Sequence, residues 1–314
     1  MARSFHKLQL TSKLLKKSFE EAILRMKALN KYKYTNTTHK LNLNNERRIT
    51  MKEHIINSYE NSLEETRLTS NNGRKIEFIN TTRILDELLD GKKKILDCAA
   101  GTGIYAFYLA DKGHDVTATD LTPRHIEVIN QTLAEKSYDM TTAVMDATDM
   151  SRFADETFDV VLNMGPFYHL LDESQRRKCL AESIRVLKKG GLLLTAYIPR
   201  FYVFQYVALS NKHFLDARLA QQIVTTGVLH HHDEKCFWTD TYYATKEEME
   251  QLYKNHGLEI ADHFAQDGLT PTFAKTVDVW TEEEFKIWCD YHYSVCREPS
   301  LLGASNHVII VGKK

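Results

Sequence analysis

The run Lys94-Ile95-Leu96-Asp97-Cys98-Ala99-Ala100-Gly101-Thr102-Gly103-Ile104-Tyr105-Ala106 constrains the fold of this 314-residue chain more than any other stretch. An apolar segment ends in a carboxylate, passes through small residues and two glycines, and opens a second apolar pattern with helical spacing. That order reads as buried strand, tight turn, helix start. The glycines let backbone approach a ligand where a Cβ would collide. The helix N-terminus beyond them offers unpaired N–H groups to polar or negative ligand atoms.

Two cofactor families use such a turn. Gly101-x-Gly103-x-x-Ala106 satisfies the dinucleotide fingerprint, but Asp97 sits at the end of the strand before it, where a carboxylate would repel a pyrophosphate. The same carboxylate suits a ligand with an ammonium group. S-adenosylmethionine carries an α-amino group and a sulfonium and has no phosphate. Here the sequence resembles the class I S-adenosylmethionine-dependent methyltransferases, whose first motif reads roughly hydrophobic-Leu-Asp-x-Gly-x-Gly-x-Gly. Ala99 stands at the first glycine of that pattern.

From residue 94 onward the chain alternates strand and helix, the signature of a parallel sheet covered on both faces. The pattern predicts strands at Lys94–Asp97, Asp115–Asp120, Thr141–Met145 and Phe158–Asn163, and helices at about Gly103–Asp111 and Glu173–Leu187. Lys188-Lys189-Gly190-Gly191 leads into a fifth strand, and His307–Val311 supplies the family's antiparallel last strand. The expected fold class is therefore α/β: a Rossmann-like, seven-stranded, mostly parallel sheet. Residues 199–245 and 267–306 read as aromatic-rich cap insertions within a domain spanning 51–314. The second holds a helix at about Thr281–Cys296 with Trp280, Phe285, Trp288 and Tyr291 on its apolar side. Two helices, 52–69 and 76–90, precede the first strand, with Ser70-Asn71-Asn72-Gly73 as the turn between them.

Candidate site residues follow from this frame. Asp97, Ala99, Gly101 and Gly103 form the cofactor turn. Asp120 lies 19 residues after Gly101, the spacing at which an acid meets ribose hydroxyls, and Leu121 follows it. The resemblance implies that Asp146 accepts from the adenine amino group and that the Ala147 N–H reaches a ring nitrogen, with Asp149 competing. Asn163 and Met164 stand at the carboxyl end of the fourth strand, where ligands bind in open α/β sheets. Gly165-Pro166 then turns Tyr168 and His169 towards the transferable methyl. His169 suits proton removal from an N–H or O–H nucleophile because imidazole titrates near working pH; alternatively both residues brace the turn. By resemblance, Tyr59 and Arg67 reach over the cofactor, Arg67 binding the methionine carboxylate or serving as a surface ion-pair residue.

Composition narrows the partners. The net charge of −1 is split between +9 over residues 1–50 and −10 over the remainder. An acidic body argues against a nucleic-acid substrate held by phosphate contacts. Residues 5–29 form a basic amphipathic helix with Leu15, Phe19, Ile23, Met26 and Leu29 as its apolar positions, followed by an Asn/Thr/Lys-rich linker. That helix packs on the body, contacts an acidic or membrane surface, or targets an organelle. Five scattered cysteines without C-x-x-C fit a reducing, cytoplasmic setting and no zinc site. The adjacent His230-His231-His232 point in different directions and do not make one metal site. No apolar run is long enough to span a membrane.

These features predict an S-adenosylmethionine-dependent enzyme that methylates an N, O or C atom of a small molecule by direct displacement, with no metal. The rival readings are an NAD(P)-dependent oxidoreductase, an RNA or protein methyltransferase guided by the basic helix, and a non-catalytic cofactor-binding module.

Overall fold

Two features of the sequence decide how the sheet is built: strands apolar on both faces, and breaks supplied by glycine and by side chains that compete for backbone hydrogen bonds. The computed structural model describes residues 52–314 except 63 and 137. The basic helix and linker expected over 1–50 lie outside the described residues. Contacts divide the chain into Met1–His54 and Ile55–Lys314, and the account below concerns the second unit.

Helix α1 covers 52–60. It ends before the predicted residue 69 because the Asn61 side chain donates to the Asn57 carbonyl and Ser62 Oγ to the Tyr59 carbonyl, diverting acceptors from the helix ladder. A 3-10 turn at Glu64–Thr66 follows. Helix α2, Asn72–Leu88, begins four residues earlier than predicted, since Asn71 caps it by accepting from Arg74 N. What reads as a turn, Ser70-Asn71-Asn72-Gly73, is thus a helix start.

The nine strands among the described residues are β1 (Lys94–Asp97), β2 (Asp115–Asp120), β3 (Met140–Val144), β4 (Phe158–Asn163), β5 (Leu187–Pro199), β6 (Val228–Leu229), β7 (Thr241–Ala244), β8 (Glu259–Ala265) and β9 (Val308–Lys313). Helices α3 (Ile104–Asp111), α4 (Pro123–Glu135) and α5 (Glu173–Val186) form the crossovers. The central order is β3-β2-β1-β4-β5, all parallel; β9 joins β5 antiparallel, and β8 closes on β9. This is the expected seven-stranded sheet with its antiparallel last strand.

The structure adds two strands. In β5, residues 192–197 pair with β9, while Ile198 and Pro199 pair with Tyr243 and Ala244 of β7, which carries β6 as a hairpin partner. The first insertion therefore returns to the sheet after α6 (Arg200–Ser210) and α7 (Ala217–Thr226). Helix α8 (Lys246–Asn255), closed by a Thr245/Glu248 capping box, leads into β8.

The second insertion holds α9 (Ala274–Val277), α10 (Glu282–Val295) and α11 (Pro299–Leu302). It packs on α2 and, through α10, on the end of β8. Ile76 of α2 meets Val277, Phe285 and Cys289 in a small second core, and Gly73 N donates to Asp278 Oδ1 at 2.7 Å. Tyr291, expected on the apolar side of α10, is 55% exposed; Cys289 and His292 take that face, with His292 Nε2 3.2 Å from the Ala265 and Gln266 carbonyl oxygens. The main core sits under β4 and β5, where Val161, Leu162, Leu193 and Leu194 are fully buried, as strands covered on both faces require. Among the described residues no helix is long and apolar enough to cross a membrane.

Candidate active site

β1 lies between β2 and β4, so the carboxyl ends of these three strands face the switch point at which open α/β sheets bind ligands. After β1 the chain turns through Gly101 at φ +54° and Gly103 at φ +91°, and Gly103 directly precedes α3. A Cβ at Gly103 would lie 2.9 Å from Ile129 and Phe107 side-chain carbons, so only glycine fits. Ala99, in place of a family glycine, faces the turn after β4: a Cβ on Gly165 would come within 3.1 Å of the Ala99 methyl. The extra methyl is accommodated by the glycine opposite.

Asp97 ends β1 with 1% of its surface exposed; among the described residues no side chain pairs with its carboxylate, and the Ala99 main-chain N–H is the one neighbour that favours its charge. Burial first, and then the charge of Asp120, push its pKa up to about 7. The Tyr105 hydroxyl, from the first turn of α3, is also buried, with Thr81 as its polar neighbour. A carboxylate left unpaired in the interior is costly unless a cation arrives. The site is thus shaped for a positively charged group at the end of β1, as the α-amino group of S-adenosylmethionine supplies.

Asp120 ends β2. Its Oδ2 accepts from Gly101 N at 2.8 Å, and its Oδ1 accepts from Thr122 N at 2.8 Å and lies 3.1 Å from His125 Nδ1. Two carboxylate oxygens offer about four lone-pair directions. Ribose hydroxyls would therefore share Asp120 with the glycine turn it already ties down. Leu121 is half-buried beside it, and Asp146 Oδ1 accepts from Thr148 N at 2.8 Å in the turn that buries Ala147. Asp149, the competing acid, is exposed.

Asn163 ends β4, as the sequence reading has it. Its side chain is buried and donates to Cys179 Sγ and Ser183 Oγ of α5, away from the strand's end. Its Oδ1 is buried without a partner. Met164 is partly buried against the core.

Tyr168 and His169 lie in a 3-10 turn, Pro166–His169, and both are buried. His169 Nδ1 is 3.0 Å from the Asp240 carbonyl oxygen, which only accepts, so Nδ1 carries the proton. Nε2, 2.8 Å from the Tyr59 hydroxyl, then accepts from it. Burial lowers the imidazole pKa to about 4. A histidine with its lone pair engaged and its basicity reduced is a brace, the second of the two roles its position allows. His169→Gln retains both bonds, the amide N–H donating to Asp240 and the amide oxygen accepting from Tyr59. It is expected to leave S-adenosylhomocysteine affinity within about threefold of wild type by calorimetry, whereas His169→Leu loses at least about tenfold by freeing Tyr59.

Tyr59 is held edge-on between His125 at 5.7 Å, His169 at 5.5 Å and Trp238 at 6.2 Å. It thus joins the residues around Asp120 to the turn after β4. Arg67 donates through Nε to Glu64 and through both terminal nitrogens to Glu77, at 2.9 and 3.2 Å. Three of its five N–H groups are engaged, which leaves two for a carboxylate. It is a buried-edge ion pair more than a free clamp.

Residues missed by the sequence reading include Tyr105, His125, Asp240, Glu77, Asp267 and His307. A signal existed for Asp267: like Asp97 and Asp120, it is an acid at the end of a strand. Among the described residues, Glu77, Asp267 and His307 are the one trio whose ligand atoms lie within 4.8 Å of one another. Arg67 and a shared imidazole proton already fill the space between the carboxylates. His231 pairs with Asp240 at 2.9 Å, and the three adjacent histidines form no such trio.

The sheet order and the glycine turn define a Rossmann-like α/β protein that binds its ligand at the strands' carboxyl ends. Residues 95–191 match the family model described as a methyltransferase domain. The glycine/sarcosine N-methyltransferase of Aphanothece halophytica is 35% identical over 105 residues, 33% of this chain and 40% of that protein. The ubiquinone biosynthesis O-methyltransferase of Methylocella silvestris is 35% identical over 131 residues, 40% of this chain and 47% of that protein. The matches thus span less than half the length of these curated relatives. The solved 1,6-didemethyltoxoflavin-N1-methyltransferase of Burkholderia thailandensis, with bound 1,6-didemethyltoxoflavin and S-adenosylhomocysteine, superposes with a TM-score of 0.53 at 13% identity, covering 86% of this chain and 89% of that one. That likeness concerns the fold. Residues 95–191 are thus similar to a methyltransferase domain, and the fold around them is that of the class I, S-adenosylmethionine-dependent type.

Proposed function

We propose that the protein transfers a methyl group from S-adenosylmethionine to an N, O or C nucleophile of a small molecule. The observation that carries this reading is the buried Asp97 carboxylate, without a side-chain partner, beside the Gly101–Gly103 turn. A dinucleotide would bring its pyrophosphate to that turn and meet a carboxylate; a nucleoside with an ammonium group meets its counter-ion. The bound sulfonium supplies an already electrophilic methyl, so the protein's work is alignment, water exclusion and proton removal.

Asp97 and Tyr105 would hold the ammonium, the two remaining N–H groups of Arg67 the carboxylate, Asp120 the ribose, and the Asp146–Ala147 turn the adenine. Tyr59, Tyr168 and Trp238 wall the side from which an acceptor enters. Trp238 precedes β7 and is 42% exposed, so this wall reaches solvent. A small acceptor fits a site closed by side chains of α1, of the turn after β4 and of the first insertion. The relatives' names, a glycine/sarcosine N-methyltransferase and an O-methyltransferase of ubiquinone biosynthesis, differ in the atom methylated and leave that choice to experiment.

Calorimetry with S-adenosylhomocysteine is expected to give saturable one-to-one binding, while NADH fluorescence stays unchanged on adding protein. Binding of NADH, with no heat from S-adenosylhomocysteine, would replace methyl transfer by hydride transfer.

A further inference from the structure

Methyl transfer to an N–H or O–H group needs a proton acceptor, and His169 has its lone pair committed to Tyr59. A second histidine stands at the same end of the sheet. His307 immediately precedes β9, whose first residue pairs with Tyr197 of β5 and Ala265 of β8. Asp267, two residues beyond β8, is 2% exposed. Its Oδ1 accepts from Ser305 Oγ at 2.8 Å, Asn306 N at 2.9 Å and His307 N at 3.0 Å, which fixes it in place. Its Oδ2 lies 3.0 Å from His307 Nδ1, and Glu77 Oε2 lies 3.5 Å from the same nitrogen.

Carboxylates only accept, so Nδ1 carries a proton and the neutral ring has its lone pair on Nε2. The Asn306 side-chain amide, 3.2 Å away, fits the same arrangement with its oxygen turned to the ring. No described residue bonds to Nε2. Across the cleft the nearest aromatic ring is Tyr168, in the turn after β4, with centroids 6.4 Å apart.

Resting on the methyl-transfer reading, we propose that His307, oriented by Asp267, is the base that takes the acceptor's proton. The acceptor's N–H or O–H gives its proton to Nε2. The electron pair left on that atom forms the bond to the methyl carbon, and the carbon–sulfur pair departs with sulfur. Nδ1–H stays on Asp267, and the new imidazolium faces two carboxylates. This is the division of labour by which a buried acid fixes tautomer and orientation for a histidine base.

The charged and titratable groups around the ring are Asp267 from the end of β8, Glu77 from α2, Arg67 from the segment before α2, and Tyr168 from the turn after β4. Burial works against the imidazolium, but Glu77 and then Asp267 outweigh it and raise the imidazole pKa above 6.5. The base form therefore fills as pH rises through a midpoint above 6.5.

Diethylpyrocarbonate tests this on the full-length protein, since only a neutral, accessible imidazole nitrogen displaces its ethyl carbonate group. Mass spectrometry across pH 6 to 9 is expected to place the carbethoxy group on His307 and none on His169, with a rate that rises through a midpoint above 6.5. Asp267→Asn keeps an oxygen for the three Oδ1 donors and removes the charge on Nδ1, and should lower the midpoint by about one unit. Glu77→Gln should lower it as well and serves where the first variant does not fold. Saturating S-adenosylhomocysteine should slow the modification at least threefold. An unmodified His307, a midpoint that neither variant moves, or carbethoxylation of His169 in its place would overturn the proposal. Absence of calorimetric binding of S-adenosylhomocysteine would instead overturn the cofactor reading, and the modification of His307 would still judge the dyad.

Discussion

Asp97→Asn should weaken S-adenosylhomocysteine binding by about 100-fold or more, the cost of leaving a buried ammonium without its counter-charge. The variant is close to isosteric, so the loss measures charge and not shape. Wild-type affinity should depend on pH in a specific way. Asp97 has a folded pKa of about 7, raised by burial and by Asp120, and binding needs its ionised form. The dissociation constant should therefore fall tenfold per pH unit on approaching pH 7 from below and level off above it. Calorimetry near pH 7 in buffers of different ionisation enthalpy should show about half a proton released per ligand bound.

The free protein should show the opposite trend. A raised carboxyl pKa contributes stability that is fully present below the unfolded value near 4 and is lost as pH rises through 7. Thermal unfolding of the free protein should thus show a lower midpoint at pH 7.5 than at pH 5.5, a difference that Asp97→Asn removes. A pH-independent affinity would show that no cation pairs with Asp97.

Asp120→Ala is the second large effect, because it acts on fold and ligand together. Three donors, Gly101 N, Thr122 N and His125 Nδ1, converge on this carboxylate. Its removal leaves buried donors unsatisfied, at about 1–3 kcal/mol each. A loss of about 3 kcal/mol in urea unfolding is expected, together with at least about a 50-fold loss of S-adenosylhomocysteine affinity as the ribose contact goes and the glycine turn loosens. Asp120→Asn, with one oxygen still able to accept, should recover part of the stability and little of the affinity.

The central sheet was legible because its signals are local. Lys94–Asp97, Asp115–Asp120 and Phe158–Asn163 are apolar runs closed by an acid or amide, and the structure places strands at those bounds. Asp97 was readable as a buried charge since a strand end followed by glycines leaves it nowhere else to go. The role of His169 was not readable: its partners are a tyrosine 110 residues earlier and a main-chain carbonyl 71 residues later. A backbone acceptor leaves no mark in residue type.

Asn163 shows the same limit in reverse. Its position was read correctly, yet its amide turns to Cys179 and Ser183 because α5 offers partners that a strand pattern cannot reveal. Tyr291 was misplaced because a helix phase drawn from large apolar residues overlooks a histidine. His292 takes the inner face through the carbonyls of Ala265 and Gln266.

The division of β5 between two partners has a consequence for anyone trimming this protein. Ile198 and Pro199 lie beyond the reach of β9, and the short strand at Thr241–Ala244 is what pairs with them. Excising 200–244 to leave a bare catalytic scaffold would uncover that stretch as a raw seam able to zip onto a neighbouring molecule. It would also carry off the Asp240 carbonyl that steadies His169. The shortest version of this protein that stays monodisperse should keep the hairpin.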